Sequence, residues 1–370
     1  MSLSSKNTNA VTKKRLRVLV VDDSSFMQRR MAELLAVPGD VEIVGTARDG
    51  VDAIRRAAEL MPDVITMDIH MPRMDGLMAI EHIMRTRPRP IVVVSSFVRS
   101  GSAAAIAALE RGAVELVQKP SEGGISLDLA QVADELISKV RMAARVRVVR
   151  SGMQSPEQFQ PRKTESSMEP VFTSANEIDA ETVVLVGCST GDPAALLQLA
   201  RHWRGSALPA IVVAQHLPAE FTAELAKHMA EHLGTTVREA VPGDRPQHGV
   251  VLISPGGQHL VLDPSGVVRL NPGARDDRWV PSVDRLFDSG AAAFGARALG
   301  VVLTGMGNDG TAGAAAIRRA GGTVWAQDEA SSIIDGMPRA VREAGHASQV
   351  FSLDEIGRAI MRLAATPLPS

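Results

Sequence analysis

Short, almost uninterrupted runs of Val, Ile and Leu alternate with stretches of helical period along the first part of this chain, and few folds accept that alternation. The apolar runs are Arg17–Val21, Val41–Thr46, Asp63–Ile69, Ile91–Ser95 and Ala113–Gln118. Between and after them lie helical stretches at Ser25–Ala36, Val51–Leu60, Leu77–Arg85, Ser102–Arg111 and Leu127–Arg145. A strand that is apolar on both faces must be covered on both faces, and crossover helices of this length do so by forming a doubly wound parallel α/β sheet. In such a sheet, ligands bind at the carboxyl ends of the strands.

With 370 residues the chain exceeds what one hydrophobic core usually supports, so two domains are expected. From Val146 to Ile178 the periodicity stops in a polar stretch that includes Gln154, Ser155, Pro156, Gln160, Pro161 and Ser166, read as an interdomain linker. The α/β pattern then restarts. Strands are expected at Thr182–Gly187, Ala210–Gln215, Thr236–Ala240, Val250–Ser254, Leu299–Leu303 and Thr323–Ala326. Helices are expected at Pro193–His202, Ala219–Leu233, Ser282–Phe294, Thr311–Ala320 and Asp354–Ala364. His259–Leu262 and Val267–Leu270 flank Asp263-Pro264-Ser265-Gly266 and read as a β-hairpin. The expectation is a first domain over 15–145, a linker over 146–178 and a second domain over 179–368.

A formal charge of -2 lacks the positive excess of a nucleic-acid binder. Cys188 is the only cysteine, so no internal disulfide can form. Met1 to Arg17 contains no export-type apolar run, and no segment reaches bilayer-spanning length; both absences favour the cytoplasm over membrane insertion.

The chemistry of the first half sits at its strand ends: Asp22 and Asp23 close the first strand, Asp68 the third, Ser95 the fourth and Lys119 the fifth. Each aspartate alone could be a helix N-cap. Together on one rim, three carboxylates repel one another and call for a hard divalent cation such as Mg²⁺. Asp68 can then attack a phosphoryl group, with Lys119 neutralising the transferred charge and Ser95 bonding a phosphoryl oxygen.

The stretches VLVVDDS, DVITMDIHMPRMDGL, IVVVSS and GAVELVQKP resemble the phosphoacceptor receiver domain of two-component response regulators. The resemblance implies a flavodoxin-like sheet, Asp68 as phosphoacceptor, and Mg²⁺ held by Asp22, Asp23, Asp68 and the His70 carbonyl. It also implies a cis Lys119–Pro120 bond and a histidine kinase as phosphodonor. Many receivers carry an aromatic switch residue where this chain has Leu116, which argues against signalling by ring rotation.

In the second half, Gly187-Cys188-Ser189-Thr190-Gly191-Asp192 marks a strand-to-helix turn that exposes a side chain and points backbone N–H groups outward. Ser189 there reads as a nucleophile, or else as a cap or phosphate cradle. His216 ends the next strand in VVAQH, and Asp309 follows Val301–Leu303 in LTGMGNDG, so three rim loops can assemble a Ser-His-Asp unit. Glycines around Met306 free backbone N–H groups for an oxyanion.

LVGCSTGDPAAL, VVAQHLP, SPGGQHLVL, PSVDRLF, GVVLTGMGNDGTAGAAAIRRAGG and AQDEASSIIDGMPRAV resemble, in order, the catalytic domain of the chemotaxis protein-glutamate methylesterases. With the receiver in front, nearly the whole chain is covered. The resemblance implies a Rossmann-like methylesterase domain that hydrolyses glutamate methyl esters, and deamidates glutamines, on methyl-accepting chemoreceptors. Its catalytic residues would be Ser189, His216 and Asp309, with Thr190 and Met306 near the oxyanion and no cofactor. The family usually has glycine where this chain has Asp192, an acid that can slow oxyanion chemistry.

Four other readings are weaker. His228-Met229-Ala230-Glu231-His232 fits a zinc-peptidase pattern, but no further ligand motif accompanies it, and it reads as a helix face. Lys139, Arg141, Arg145, Arg147 and Arg150 form a basic run, read as a solvated helix face rather than a nucleic-acid patch. A DNA-binding output is disfavoured by the long, glycine-rich second half; a binding-only relative of the esterases is the stronger alternative.

Overall fold

A computed structural model of the protein describes residues 15–37, 39–95, 99–119, 126–146, 182–189, 192–203, 208–274 and 276–364. The first half runs β1 (Leu16–Val21), α1 (Ser25–Ala36), β2 (Val41–Ala47), α2 (Gly50–Leu60), β3 (Val64–Met67), α3 (Gly76–Thr86), β4 (Ile91–Ser95), α4 (Arg99–Glu110), β5 (Glu115–Gln118) and α5 (Ser126–Ala143). The strands pair in parallel in the order β2-β1-β3-β4-β5, the flavodoxin-like winding. Each residue of β3 and β4 is buried, as a sheet covered on both sides demands. Leu116 on β5 is 1% exposed and belongs to this core.

The helices of this half begin at caps distinct from the acidic rim. Ser24, Asp49 and Asp75 accept the N–H groups of Met27, Asp52 and Met78 at the starts of α1, α2 and α3. The cap interpretation of Asp22 and Asp68 therefore falls to other residues, and those two carboxylates remain available for chemistry.

The second half runs β6 (Val183–Cys188), α6 (Asp192–Ala200), β7 (Ala210–Gln215), α7 (Ala219–Leu233), β8 (Thr236–Glu239), β9 (Val250–Ile253), β10 (Gln258–Leu262), β11 (Val268–Pro272) and α8 (Val283–Phe294). It continues with β12 (Ala298–Val302), α9 (Thr311–Arg319), β13 (Thr323–Gln327), α10 (Met337–Glu343), β14 (Gln349–Phe351) and α11 (Leu353–Ala364). Seven of these strands form one parallel sheet in the order β14-β13-β12-β6-β7-β9-β8, and β10 and β11 form a separate antiparallel hairpin. β6, β7 and β12 are buried throughout and place the ends of three strands side by side at the middle of the sheet. β14 and α10 were not anticipated from sequence, because one is a three-residue edge strand and the other a seven-residue helix.

The halves touch. Ala105, Ile106, Ala108 and Leu109 of α4 share a buried cluster with Leu196 and Leu199 of α6 and Phe221, Leu225 and Met229 of α7. At the rim of that contact His228 Nε2 lies 2.9 Å from Glu110 Oε1. His228 of the H-x-x-E-H pattern thus faces a carboxylate of the first half, and the side chain of His232 lies outside the described residues.

The basic run differs from its reading as a solvated face. Lys139 Nζ is 2.9 Å from Glu135, 3.4 Å from Glu115 and donates to the Leu116 carbonyl at 2.6 Å. Burial alone would discharge it, but the two glutamates more than offset this and hold its pKa above the ordinary lysine value. Arg141 pairs with Asp40 at 2.8 Å, and Arg147 and Arg150 lie outside the described residues. Among the described residues no helix is long and apolar enough to cross a membrane.

Candidate functional site

Two sites form, one at the carboxyl end of each sheet. In the first, parallel pairing of β1 with β3 and of β4 with β5 brings Asp22, Asp23, Asp68, Ser95 and Lys119 to one rim. Carboxylate oxygens of Asp22, Asp23 and Asp68 all lie within 4.8 Å of one another. Lys119 Nζ lies 2.7 Å from Asp22 Oδ2 and 2.9 Å from Asp68 Oδ2, while Asp68 Oδ1 accepts the N–H of Ile69 at 2.8 Å.

Burial pushes the Asp22 carboxyl above its ordinary range, the Asp68 charge adds to this, and Lys119 pulls the other way. Burial also opposes the Lys119 charge, yet its bonds to Asp22 and Asp68 hold that pKa above the ordinary lysine value. One lysine does not fully compensate three carboxylates. Ser95 Oγ is buried with no partner among the described residues, an acceptor and donor left over for a ligand. Oxygen donors with surplus negative charge suit a hard divalent cation. His70 is exposed after β3, and Pro120 lies outside the described residues.

In the second site, β6 and β7 run in register with Cys188 opposite Gln215, so Ser189 and His216 leave adjacent strands one residue later. His216 N–H donates to the Cys188 carbonyl at 3.1 Å, and Gln215 Nε2 donates to the Ser189 carbonyl at 2.8 Å. Ser189 is 4% exposed. A Cβ added to Gly305 would lie 2.8 Å from Ser189 Cβ, so only glycine lets the loop after β12 approach the serine this closely.

His216 Nε2 and Asp309 Oδ2 are 2.8 Å apart, so the carboxylate assigns the ring proton to Nε2. His216 Nδ1 is buried and has no hydrogen-bond partner among the described residues. Asp309 is held from several sides: Val283 N–H and Asp284 N–H at the start of α8 donate to it at 2.8 and 2.9 Å, Gly310 N–H at 3.0 Å and Ser282 Oγ at 3.2 Å. A helix N-terminus is a favourable seat for a carboxylate. Burial alone would raise the Asp309 pKa, but the bond and charge of His216 and the backbone donors outweigh it and leave the carboxyl below its ordinary value. Asp284 next to it goes the other way: its burial and the Asp309 charge raise it.

The loop after β12 is pinned beside this pair. Thr304 N–H donates to Gln327 Oε1 at 2.7 Å, and Gly305 N–H donates to the Ile334 carbonyl at 2.9 Å. Met306 and Gly307 then line a cleft of about 430 Å³ whose other side carries Met142 and Arg145, at and just after the end of α5 in the first half. Thr190 lies outside the described residues, as does the side chain of Asp192 at the start of α6.

Sequence reasoning named Ser189, His216 and Asp309 but not their supports. Ser282 could have been found, since a serine before an apolar helix is an N-cap signal, and it does accept the N–H of Arg285. Trp279, stacked on His216 with ring centroids 5.0 Å apart, sits in an aperiodic loop and carried no sequence signal.

Each doubly wound α/β half thus carries polar groups at the carboxyl ends of its strands, an acidic rim with a lysine on one and a His–Asp pair beside a serine on the other. The receiver-domain model of response regulators matches residues 18–126, and the CheB methylesterase model matches residues 184–360. The chain is 41% identical over 350 residues to a protein-glutamate methylesterase/protein-glutamine glutaminase of Symbiobacterium thermophilum, covering 94% of this chain and 96% of that one. It is 39% identical over 354 residues to the like-named protein of Geobacillus kaustophilus, covering 95% and 99%. The crystal structure of the Thermotoga maritima CheB methylesterase catalytic domain, at 35% identity, covers 49% of this chain and 98% of that one with a TM-score of 0.47. The chain belongs to the protein-glutamate methylesterase/protein-glutamine glutaminase family.

Proposed function

We propose that this protein hydrolyses glutamate methyl esters on chemoreceptors, deamidates receptor glutamines, and does so in the cytoplasm under control of phosphorylation at Asp68. The observation that carries the catalytic part is His216: one ring nitrogen on a well-held carboxylate, the other buried and unpartnered, on the strand next to Ser189. Nδ1 takes the Ser189 proton as Oγ attacks the γ-carbonyl carbon, and Asp309 stabilises the imidazolium. Charge develops on the carbonyl oxygen, for which N–H groups of the Met306 loop, and Thr190 by family resemblance, are the donors; one such donor is worth about 3 kcal/mol.

Collapse of the tetrahedral species breaks the ester C–O bond, and the leaving oxygen takes the proton from Nδ1 to depart as methanol. Water then gives a proton to Nδ1 and attacks the acyl-Ser189 carbonyl, releasing the glutamate carboxyl and restoring the serine. With a glutamine substrate the leaving group is ammonia.

For the first site, Asp22, Asp23, Asp68 and the His70 carbonyl would hold Mg²⁺, which supplies charge neutralisation for phosphoryl transfer. Asp68 accepts the phosphoryl group from a histidine kinase, Lys119 pairs with its oxygens, and Ser95 Oγ gains the partner it lacks. The contact of α4 with α6 and α7, and the cleft between the end of α5 and the Met306 loop, support occlusion of the esterase by the unphosphorylated first half.

The test is methanol release from methylated receptor, with and without a small-molecule phosphodonor. Ser189→Ala should cut release by on the order of a million-fold, and phosphodonor should raise the parent rate but not that of Asp68→Asn. Release that survives in Ser189→Ala would remove the catalytic assignment; equal stimulation of Asp68→Asn would remove the phosphoacceptor.

A further inference from the structure

Besides its covalent attachment at Cγ, the ring of His216 makes one side-chain hydrogen bond among the described residues, from Nε2 to Asp309, and a ring held at those two points can turn about the axis through them. Turning would carry Nδ1, the nitrogen that must meet the Ser189 hydroxyl, away from its place. The indole of Trp279 lies against the imidazole with planes 2° apart and centroids 5.0 Å apart, which blocks that rotation.

Trp279 is itself held on several sides. A Cβ added to Gly307 would come 2.9 Å from its Cζ2, so the indole reaches the loop that carries Met306, and only glycine at 307 makes room for it. The guanidinium carbon of Arg278 lies 5.2 Å from its ring centroid. The segment around it is anchored at Asp277, which accepts the N–H of Ala274 at 2.8 Å and pairs with His259 Nε2 at 2.8 Å and Arg285 Nη2 at 3.0 Å. On the other side of Trp279, Ser282 N–H donates to His259 Nδ1 at 3.2 Å, and Ser282 Oγ reaches Asp309. The buried His259 thus ties together the segment that presents the indole and the helix start that holds the catalytic carboxylate.

We propose that Trp279 is a positioning residue of the hydrolytic reaction, fixing the plane of the His216 imidazole so that Nδ1 faces Ser189. The proposal rests on the acyl-transfer reading given above. The role needs a flat ring, not merely bulk, and separates Trp279→Phe from Trp279→Leu. In the full-length protein assayed on methylated receptor, Trp279→Phe should keep kcat within about threefold of the parent, whereas Trp279→Leu should lose about tenfold or more in kcat with KM little changed.

A second reading does not depend on turnover. The indole ring current should shift the His216 Cε1–H proton resonance upfield in the parent, and that shift should persist in part in Trp279→Phe and vanish in Trp279→Leu. Equal kcat in the two variants, a loss confined to KM, or a His216 resonance unmoved in Trp279→Leu would each overturn the proposal. A parent protein whose methanol release does not depend on Ser189 would instead sink the acyl-transfer reading, while the resonance would still report whether the stack exists.

Discussion

The two sites occupy the same topological position and solve the problem of buried charge in opposite ways. At the first, three carboxylates face one lysine, and burial with mutual repulsion pushes Asp22 up; the site is short of positive charge until a cation joins it. At the second, the Asp309 carboxylate is surrounded by donors from Val283, Asp284, Gly310 and His216, and its pKa falls despite burial. One is electrostatically unfinished and therefore responsive to ligands. The other is pre-organised, as a site must be to act on a transition state without reorganising.

Breaking the pre-organised site should give the largest effect. Asp309→Asn leaves the shape but not the charge, and turnover should fall on the order of ten-thousand-fold while thermal unfolding moves little in comparison. A drop below tenfold would show that the pair does not drive catalysis. The same group gives a pH test: because its folded pKa lies below the ordinary aspartate value, its stabilising contribution is full above that ordinary value and is lost as pH falls through the folded one. Denaturant titration of parent and Asp309→Asn should therefore show a stability gap that is constant near neutrality and closes in strong acid.

The unfinished site should respond to cation. Mg²⁺ at a hundred times its dissociation constant should stabilise the parent against unfolding by about 2.7 kcal/mol, and Asp22→Asn should lose most of that gain. Here the sign is reversed. A carboxyl held above its ordinary pKa favours the folded state at low pH, so without the cation this contribution is lost as pH rises through the folded Asp22 value. Mg²⁺ should flatten that slope, and a parent indifferent to Mg²⁺ would break the contrast between the sites.

Smaller effects are expected where the halves meet and at the first turn of α6. Glu110→Gln removes the charge opposite His228 in a partly exposed pair worth at most about 1 kcal/mol. Basal methanol release without phosphodonor should rise by up to about fivefold, and a fall would show that the pair does not restrain the enzyme. Asp192→Gly, which removes an acid from the start of α6, should raise turnover; an unchanged rate would remove the acid from the account.

Much of this was legible because both sites use residues at strand ends, where a βαβ reading of the apolar runs fixes neighbours far apart in sequence. Asp22, Asp68 and Lys119 meet as that reading requires, and Ser189 and His216 leave adjacent strands. Residues placed by packing rather than by period were not legible. Lys139 belongs to a basic run by sequence but is half-buried against Glu115, and His228 sits in a metal-like pattern but faces Glu110 across the two halves. Trp279 depends on an aperiodic loop whose course is set by His259 on the hairpin and by the start of α8. Periodicity reports on a residue's own element, and these three take their roles from someone else's.

The most direct test of the catalytic unit is active-site labelling with a serine-directed fluorophosphonate, read by intact mass and peptide mapping. The account predicts a single adduct on Ser189 in the parent and its near-complete loss in His216→Ala, since the hydroxyl reacts only when Nδ1 takes its proton. Equal labelling of Ser189 in His216→Ala, or an adduct on another residue in the parent, would contradict it.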